Sequence, residues 1–182
     1  MKKYISTLKA ACLLSICLIQ PITAMAQSQG SNTENRLKVA FVYNFAKYVE
    51  WMSSENKNQL SICLVGKEDL NGAFNALNGR STQGKEIQVK RNVNLDQVKE
   101  CQIVFVPESE TKQLSGIMRN AASTNTLVVT DTKAQLDAIA HIHLDTVEDR
   151  IQFDVNLPLM QKSNLKASSE MLKLARSTRI KL

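Results

Sequence analysis

Ala40-Phe41-Val42-Tyr43-Asn44-Phe45-Ala46-Lys47-Tyr48-Val49-Glu50-Trp51 holds five of the eight aromatic residues that follow residue 26. A chain so poor in aromatics that gathers most of them here uses the segment to anchor a core or to present a surface. Wound at about 100° per residue, Leu37, Phe41, Phe45, Tyr48, Val49 and Met52 form one broad apolar stripe, with Arg36, Tyr43, Lys47 and Glu50 on the opposite side. The spacing predicts a packed helix over residues 34–51. Asn44 and Trp51 fall at the border of the stripe, where an amide and a large ring are partly exposed.

Beyond a polar loop at 53–58, the apolar run Leu60-Ser61-Ile62-Cys63-Leu64-Val65 reads as a buried strand closed by Gly66. A helix follows over about 68–78 with Phe74 and Leu77 facing in, then a loop over 78–84, an alternating strand at 87–91 and a helical piece reaching Val98. Ile103-Val104-Phe105-Val106 is a second central strand, stopped by Pro107. A helix at 111–122, a strand at 126–130 and a short helix at 133–139 repeat the alternation. Ile142 and Leu144, then Ile151, Phe153 and Val155, alternate strictly around residues 145–149 and predict an antiparallel hairpin. Helices at 157–162 and 168–176, the second capped by Ser168, end the chain. Strands separated by helices specify a single three-layer α/β domain: a central, mostly parallel sheet, an appended antiparallel hairpin, and helices on both faces.

The amino-terminal residues have the order of a secretory signal: Lys2, Lys3 and Lys9, an apolar run at 10–19, Pro21, and the small-residue site Ala24-Met25-Ala26. The expected organisation is a signal over 1–26 cleaved after Ala26, a polar leader over 27–33, and the α/β domain over 34–182. No later window is apolar enough to span a bilayer, so an exported periplasmic protein without direct membrane insertion is expected. Neither Cys12 nor Cys17 sits in a convincing lipidation site.

Removing three lysines with the signal lowers the formal charge from +6 to +3. The basic clusters Lys85, Lys90, Arg91 and Lys173, Arg176, Arg179, Lys181 have no interleaved aromatics, which argues against a nucleic-acid platform. A solvated basic face explains them, with an acidic partner surface as the alternative.

Cleavage would leave one cysteine pair, Cys63 and Cys101, and two cysteines in an oxidising compartment should join. The bridge can be structural or redox-regulated; the absence of a Cys-x-x-Cys motif gives thiol exchange no direct support.

Chemistry has few anchors. Val65-Gly66-Lys67-Glu68-Asp69 has one glycine and acidic residues where a dinucleotide loop has three glycines and a phosphate. His141, His143 and Asp145, at period-2 spacing, are the sharpest metal candidate, although the same spacing describes the polar side of a half-exposed strand. No serine lies in a nucleophile elbow, and a hydrolase would have to use one of these two histidines. No cofactor is expected.

With the helix through Trp51, several segments, Leu60-x-Ile62-Cys63-Leu64-x-Gly66, Cys101-Gln102-Ile103-Val104-Phe105-Val106, Ile151-x-Phe153-x-Val155-Asn156-Leu157 and Leu172-x-Leu174-Ala175-Arg176, resemble the YfiR family of exported bacterial regulators. The chain departs from many members in carrying Ala138-Ile139-Ala140-His141 in place of a Gly-Gly pair before the hairpin. The resemblance implies a non-enzymatic periplasmic repressor of an inner-membrane diguanylate cyclase, contacting its periplasmic sensor region and restraining biofilm formation. It also implies a homodimer, sequestration by an outer-membrane lipoprotein, and a stabilising disulfide matching Cys63 to Cys101.

A binding protein concentrates aromatics and arginines where its partner docks. Tyr43, Asn44, Lys47, Trp51 and Arg176 are the expected recognition residues, with capping of the core as the other reading of Trp51. The rival functional class is a small-ligand receptor whose pocket is lined by the aromatic and carboxy-terminal helices.

Overall fold

The computed structural model describes residues 24–52, 58–132 and 140–178. Residues 1–23 of the signal expected over 1–26, and the short helix expected at 133–139, lie outside these residues. Helix α1 (Ala24–Tyr48) leads into β1 (Val49–Trp51), then β2 (Gln59–Val65), β3 (Ser81–Thr82), β4 (Lys85–Val93) and β5 (Ile103–Val106). Helix α2 (Leu114–Ala122), β6 (Leu127–Thr130), β7 (Ile142–Val147), β8 (Arg150–Val155), α3 (Leu157–Lys162), β9 (Leu165–Ala167) and α4 (Ser169–Leu174) complete the described chain. Short 3-10 turns at Ala73–Leu77, Gln97–Glu100 and Glu108–Gln113 fill three of the connections.

Seven strands form one sheet in the order β3-β4-β2-β5-β6-β7-β8. The five inner strands are parallel, and β3 and β8 close the two ends antiparallel. This is the mostly parallel sheet with an appended hairpin that the alternation of strands and helices specifies.

Strand pleating sorts the side chains into two cores. Leu60, Ile62, Leu64, Ile103, Phe105, Leu127 and Val129 face α1, which contributes Val39, Val42, Phe45 and Ala46. Cys63, Val65, Val104, Val106 and Val128 face the other way and pack with Leu114, Ile117 and Ala121 of α2. Both faces of the sheet are therefore covered, as parallel strands require. The Cys63–Cys101 disulfide lies in the second core, with its Cα atoms 6.0 Å apart.

Several local expectations need correction. Helix α1 takes in the polar residues 27–33 ahead of its expected start at 34, and it ends at Tyr48 rather than continuing through Trp51. Val49, Glu50 and Trp51 instead pair antiparallel with Ala167, Lys166 and Leu165 in a separate two-stranded ribbon. The Gln83 amide donates to the carbonyls of Ala46, Lys47 and Val49 at 3.2, 3.0 and 2.9 Å, satisfying groups that a helix end leaves open.

The buried face of α1 is also rotated from the expected stripe. Leu37 and Met52 are 44% and 72% exposed, while Val39, Val42 and Ala46 are buried. Small side chains at those positions let the helix approach the sheet, and the aromatic rings flank this seam. Phe41, Phe45 and Phe153 make the largest such cluster, with ring centres 5.2 to 6.2 Å apart.

The helix expected over 68–78 shrinks to the turn Ala73–Leu77, because Leu70, Asn71 and Gly72 adopt φ values of 52°, 55° and 75° that no right-handed helix admits. Phe74 and Leu77 still face inward. The first part of the helix expected at 111–122 is likewise a 3-10 turn, Glu108–Gln113. Strands β7 and β8 run longer than expected, leaving only Glu148 and Asp149, both at positive φ, for the tight turn that suits a twisted hairpin.

Candidate partner-binding surface

Helix α1 lays its seam on the sheet and presents its opposite side outward. Where it runs beside the turn Ala73–Leu77, a slot of about 180 Å³ opens between Ala40, Tyr43 and Asn44 on one wall and Ala73, Ala76 and Leu77 on the other. Arg36 and Arg80 also line it. The Arg80 guanidinium lies 4.9 Å from the centre of the Tyr43 ring, and the Tyr43 hydroxyl donates to the Ser81 carbonyl at 3.3 Å. Tyr43 is thus half-buried and held from two sides, rather than free on the far side of the helix. Asn44 and Lys47 are exposed, and Lys47 sits 5.0 Å from the centre of the Tyr48 ring.

The other two expected recognition residues lie elsewhere. Trp51 belongs to the β1–β9 ribbon and is half-buried against the α1-side core; its indole Nε1 is shielded from solvent and has no hydrogen-bond partner among the described residues. Arg176 follows α4 and is held by carboxylates. Its Nε donates to Asp154 Oδ1 at 3.1 Å, its Nη2 donates to Asp154 Oδ2, and its Nη1 donates to Asp145 Oδ2 at 2.8 Å. Hydrogen bonding to Asp154, then to Asp145, raises its pKa further above the ordinary guanidinium value. The same stretch extends the sheet edge, with Arg176 N donating to Phe153 O and Val155 N to Ser177 O, both at 2.9 Å.

The His141, His143 and Asp145 set does not form a metal site. The main-chain N–H of Val128 donates to His141 Nδ1 at 3.0 Å, which places the proton on Nε2, where it is donated to Ser163 Oγ at 2.9 Å. His143 Nε2 donates to the Thr132 carbonyl at 2.5 Å, and its Nδ1 lies 3.8 Å from Asp154 Oδ2. Asp145 is taken by Arg176. Among the described residues, no group of three or more histidine, cysteine or acidic side chains is placed to hold a metal ion.

The Ser163–His141 contact also fails as a nucleophile and base. A base must accept the serine proton, but Nε2 already carries one and Nδ1 is oriented by a backbone donor in place of a carboxylate. Burial lowers the pKa of His141 to about 4, consistent with a neutral structural imidazole.

Sequence reasoning missed a buried ion pair that anchors α1. Lys38 Nζ lies 2.7 Å from Asp131 Oδ2 and 3.0 Å from Glu34. Asp131 Oδ1 accepts the Glu108 N–H at 3.0 Å, and Thr146 Oγ1 donates to Glu34 at 2.8 Å. Burial acts to lower the Lys38 pKa, but the charge and hydrogen bonds of Asp131 and Glu34 outweigh it and leave the pKa raised. Lys38 falls within the apolar stripe of the helical pattern, between Phe45 and Val49, a sign that it needs a buried partner, but only the place of Asp131 at the end of β6 reveals which one.

A larger cleft of about 740 Å³ opens at the carboxyl ends of the parallel strands, lined by Gly66, Lys67, Glu68, Asn92, Ser109 and Glu110 among others. Strand β2 connects onward to β4 on one side, and its neighbour β5 connects onward to β6 on the other, so the cleft lies at a topological switch point, where open α/β sheets bind ligands. Glycine suits position 66: its φ of 71° favours a residue without a side chain, and a Cβ there would have to push the Glu110 side chain aside. Ser109 donates to Glu68 at 2.7 Å and Gln113 to Glu110 at 2.5 Å. This cleft is lined by neither the aromatic helix nor the carboxy-terminal helix, contrary to the receptor reading of the sequence.

The model of a family described as YfiR/HmsC-like matches residues 35–176. Among solved structures, a conserved domain protein from Vibrio cholerae O1 biovar El Tor strain N16961 superposes with a TM-score of 0.55 at 10% identity, over 80% of this chain and 60% of that one. At that identity the likeness speaks for the fold, and this chain spans 60% of the length of that protein. No curated protein matches the chain.

Proposed function

The chain belongs to the YfiR/HmsC-like family, and on that footing we propose that it is an exported periplasmic regulator that binds and represses an inner-membrane diguanylate cyclase. Repression would lower cyclic di-GMP and with it biofilm formation. The observation that carries the reading is the family match over residues 35–176, spanning both bridged cysteines and most of α1. The site chemistry supports it: the two imidazoles are structural, and the described surface offers a slot suited to docking. Among the described residues no helix is long and apolar enough to cross a membrane.

Such a regulator acts by preferring one conformation of the cyclase. Its strength as a repressor equals its differential affinity for the two states, and a coupling of about 1–3 kcal/mol gives roughly 5- to 150-fold regulation. The contact would be with the periplasmic sensor region of the cyclase; a homodimer and release by an outer-membrane lipoprotein belong to the same proposal. The test is deletion of the gene: cyclic di-GMP should rise only in strains that carry the cognate cyclase. Unchanged levels in a strain expressing both proteins would remove the reading.

The cleft at the carboxyl ends of β2, β4 and β5 favours a second role, as a small-ligand receptor. A saturable rise in melting temperature during a screen of periplasmic metabolites would support it, and a flat profile in the wild-type protein would count against it.

A further inference from the structure

We infer that the slot between α1 and the Ala73–Leu77 turn is where the chain grips the cyclase, and that it takes an acidic side chain flanked by an apolar one from the sensor region. This rests on the regulatory reading above.

The lining carries the chemistry. Ala40, Ala73 and Ala76 are small and leave open space above the buried Val39 and Leu77. The volume, about 180 Å³, is similar to the roughly 150 Å³ cavity that admits a benzene ring, so one apolar side chain can enter. Two guanidinium groups line the same slot. Arg36 makes no ion pair among the described residues, and Arg80 only stacks on Tyr43. The Lys47 ammonium, on the same side of α1, lies over the Tyr48 ring and makes no ion pair among the described residues.

Among the described residues no carboxylate forms an ion pair with these cations. Glu34 is engaged by Lys38 and Thr146, Asp69 lies 3.6 Å from Arg91, and Glu50 pairs with Lys166 at 3.3 Å. Two guanidinium groups in an apolar slot, with Lys47 on the same side of the helix and no carboxylate paired to any of the three among the described residues, complement an acidic and apolar segment. A second copy of this chain is a poor occupant, because a two-fold contact would set the same cations against themselves. Guanidinium groups favour a carboxylate through paired, planar hydrogen bonds, and the stacking of Arg80 on Tyr43 fixes one of them in advance.

The experiment uses a strain in which deletion of the gene raises cyclic di-GMP. The double reversal Arg36→Glu/Arg80→Glu should raise it to the deletion level while protein abundance and melting temperature stay at wild-type values. Ala40→Trp, which fills the slot without changing charge, should do the same. In solution, each variant should bind the purified sensor region at least tenfold more weakly, and wild-type binding should weaken with salt. A photo-crosslinker at Asn44 should capture the cyclase. Wild-type repression by both variants would overturn the inference and leave the regulatory reading intact, as would a crosslink only to a second copy of this chain. Inorganic phosphate that raises the melting temperature of the wild-type protein but not of the Arg36→Glu/Arg80→Glu variant, with no measurable binding of the sensor region, would show a small-anion site instead and overturn it as well. Failure of the deletion itself to raise cyclic di-GMP would remove the regulatory reading and the inference with it.

Discussion

The imidazole of His141 accepts the main-chain N–H of Val128 at 3.0 Å, so a side chain completes a hydrogen bond at the start of the β6–β7 ladder, before Val129 pairs with Ile142. The ring can do this only when neutral, and its burial, which holds the pKa near 4, is the cost of charging it there.

Stability should therefore fall as pH drops. The folded pKa of His141 lies below the ordinary value of 6.5, so above pH 6.5 both folded and unfolded forms are neutral and its contribution is fully present. Between about 6.5 and 4 the unfolded chain binds a proton that the folded chain refuses, and the contribution is lost, up to about 3 kcal/mol. Urea unfolding at stepped pH should show this slope, and His141→Gln should remove the part of it due to this ring. An identical slope in that variant would reject the assignment.

The disulfide should contribute most of its stability through the unfolded chain. With Cys63 and Cys101 separated by 38 residues, the chain-entropy estimate is about 4 kcal/mol. Replacing both cysteines with alanine, or reducing the wild-type protein, should lower the denaturation midpoint by a matching amount. A variant as stable as the oxidised protein would show that the second core holds without the bridge.

Arg176 should act as a clamp on the sheet edge. Arg176→Ala leaves the buried carboxylate of Asp154 without its partner; because the guanidinium side chain is 38% exposed, a loss of about 2 kcal/mol is expected rather than the larger cost of a deeply buried pair. Arg176→Lys should recover little, since an ammonium cannot bond both oxygens of Asp154 while reaching Asp145. Amide exchange should quicken at Val155, whose N–H bonds Ser177. Full rescue by lysine would rule out a geometric clamp.

Two substitutions separate the expected face of α1 from the observed one. Phe45→Ala empties a position 1% exposed in the ring cluster with Phe41 and Phe153, and should cost about 3–5 kcal/mol. Leu37→Ala, at 44% exposure, should cost under about 1 kcal/mol. Equal losses in thermal or urea unfolding would mean that Leu37 packs as the helical pattern alone suggests.

The α/β alternation was legible because each central strand is an uninterrupted run of apolar residues. Ile103-Val104-Phe105-Val106 before Pro107 is a strand in any context that buries both its faces, and the structure places its boundaries where the pattern puts them. The α3 helix and the Ser168 cap were equally readable, since Ser168 Oγ accepts the Met171 N–H within a single turn of chain. The lining of the slot was legible in part. Tyr43 and Asn44 do meet at one slot, but Arg36 and Arg80 were missing from the expected set because charged residues on a helix and in a loop carry no signal that they converge.

What the sequence determined by itself is what short-range pattern encodes: strands and helices in order, and a resemblance spread along most of the chain. The tertiary structure decided the rest, because each outcome depends on a distant partner. Val49–Trp51 becomes a strand because Leu165–Ala167 lies beside it and Gln83 closes the helix before it. His141 becomes a structural acceptor because Val128 and Ser163 reach its ring, and Arg176 becomes a clamp because Asp145 and Asp154 stand diagonally across a hairpin on one face. Local periodicity specifies which residues can be buried; only the packed fold specifies which polar groups must find one another there.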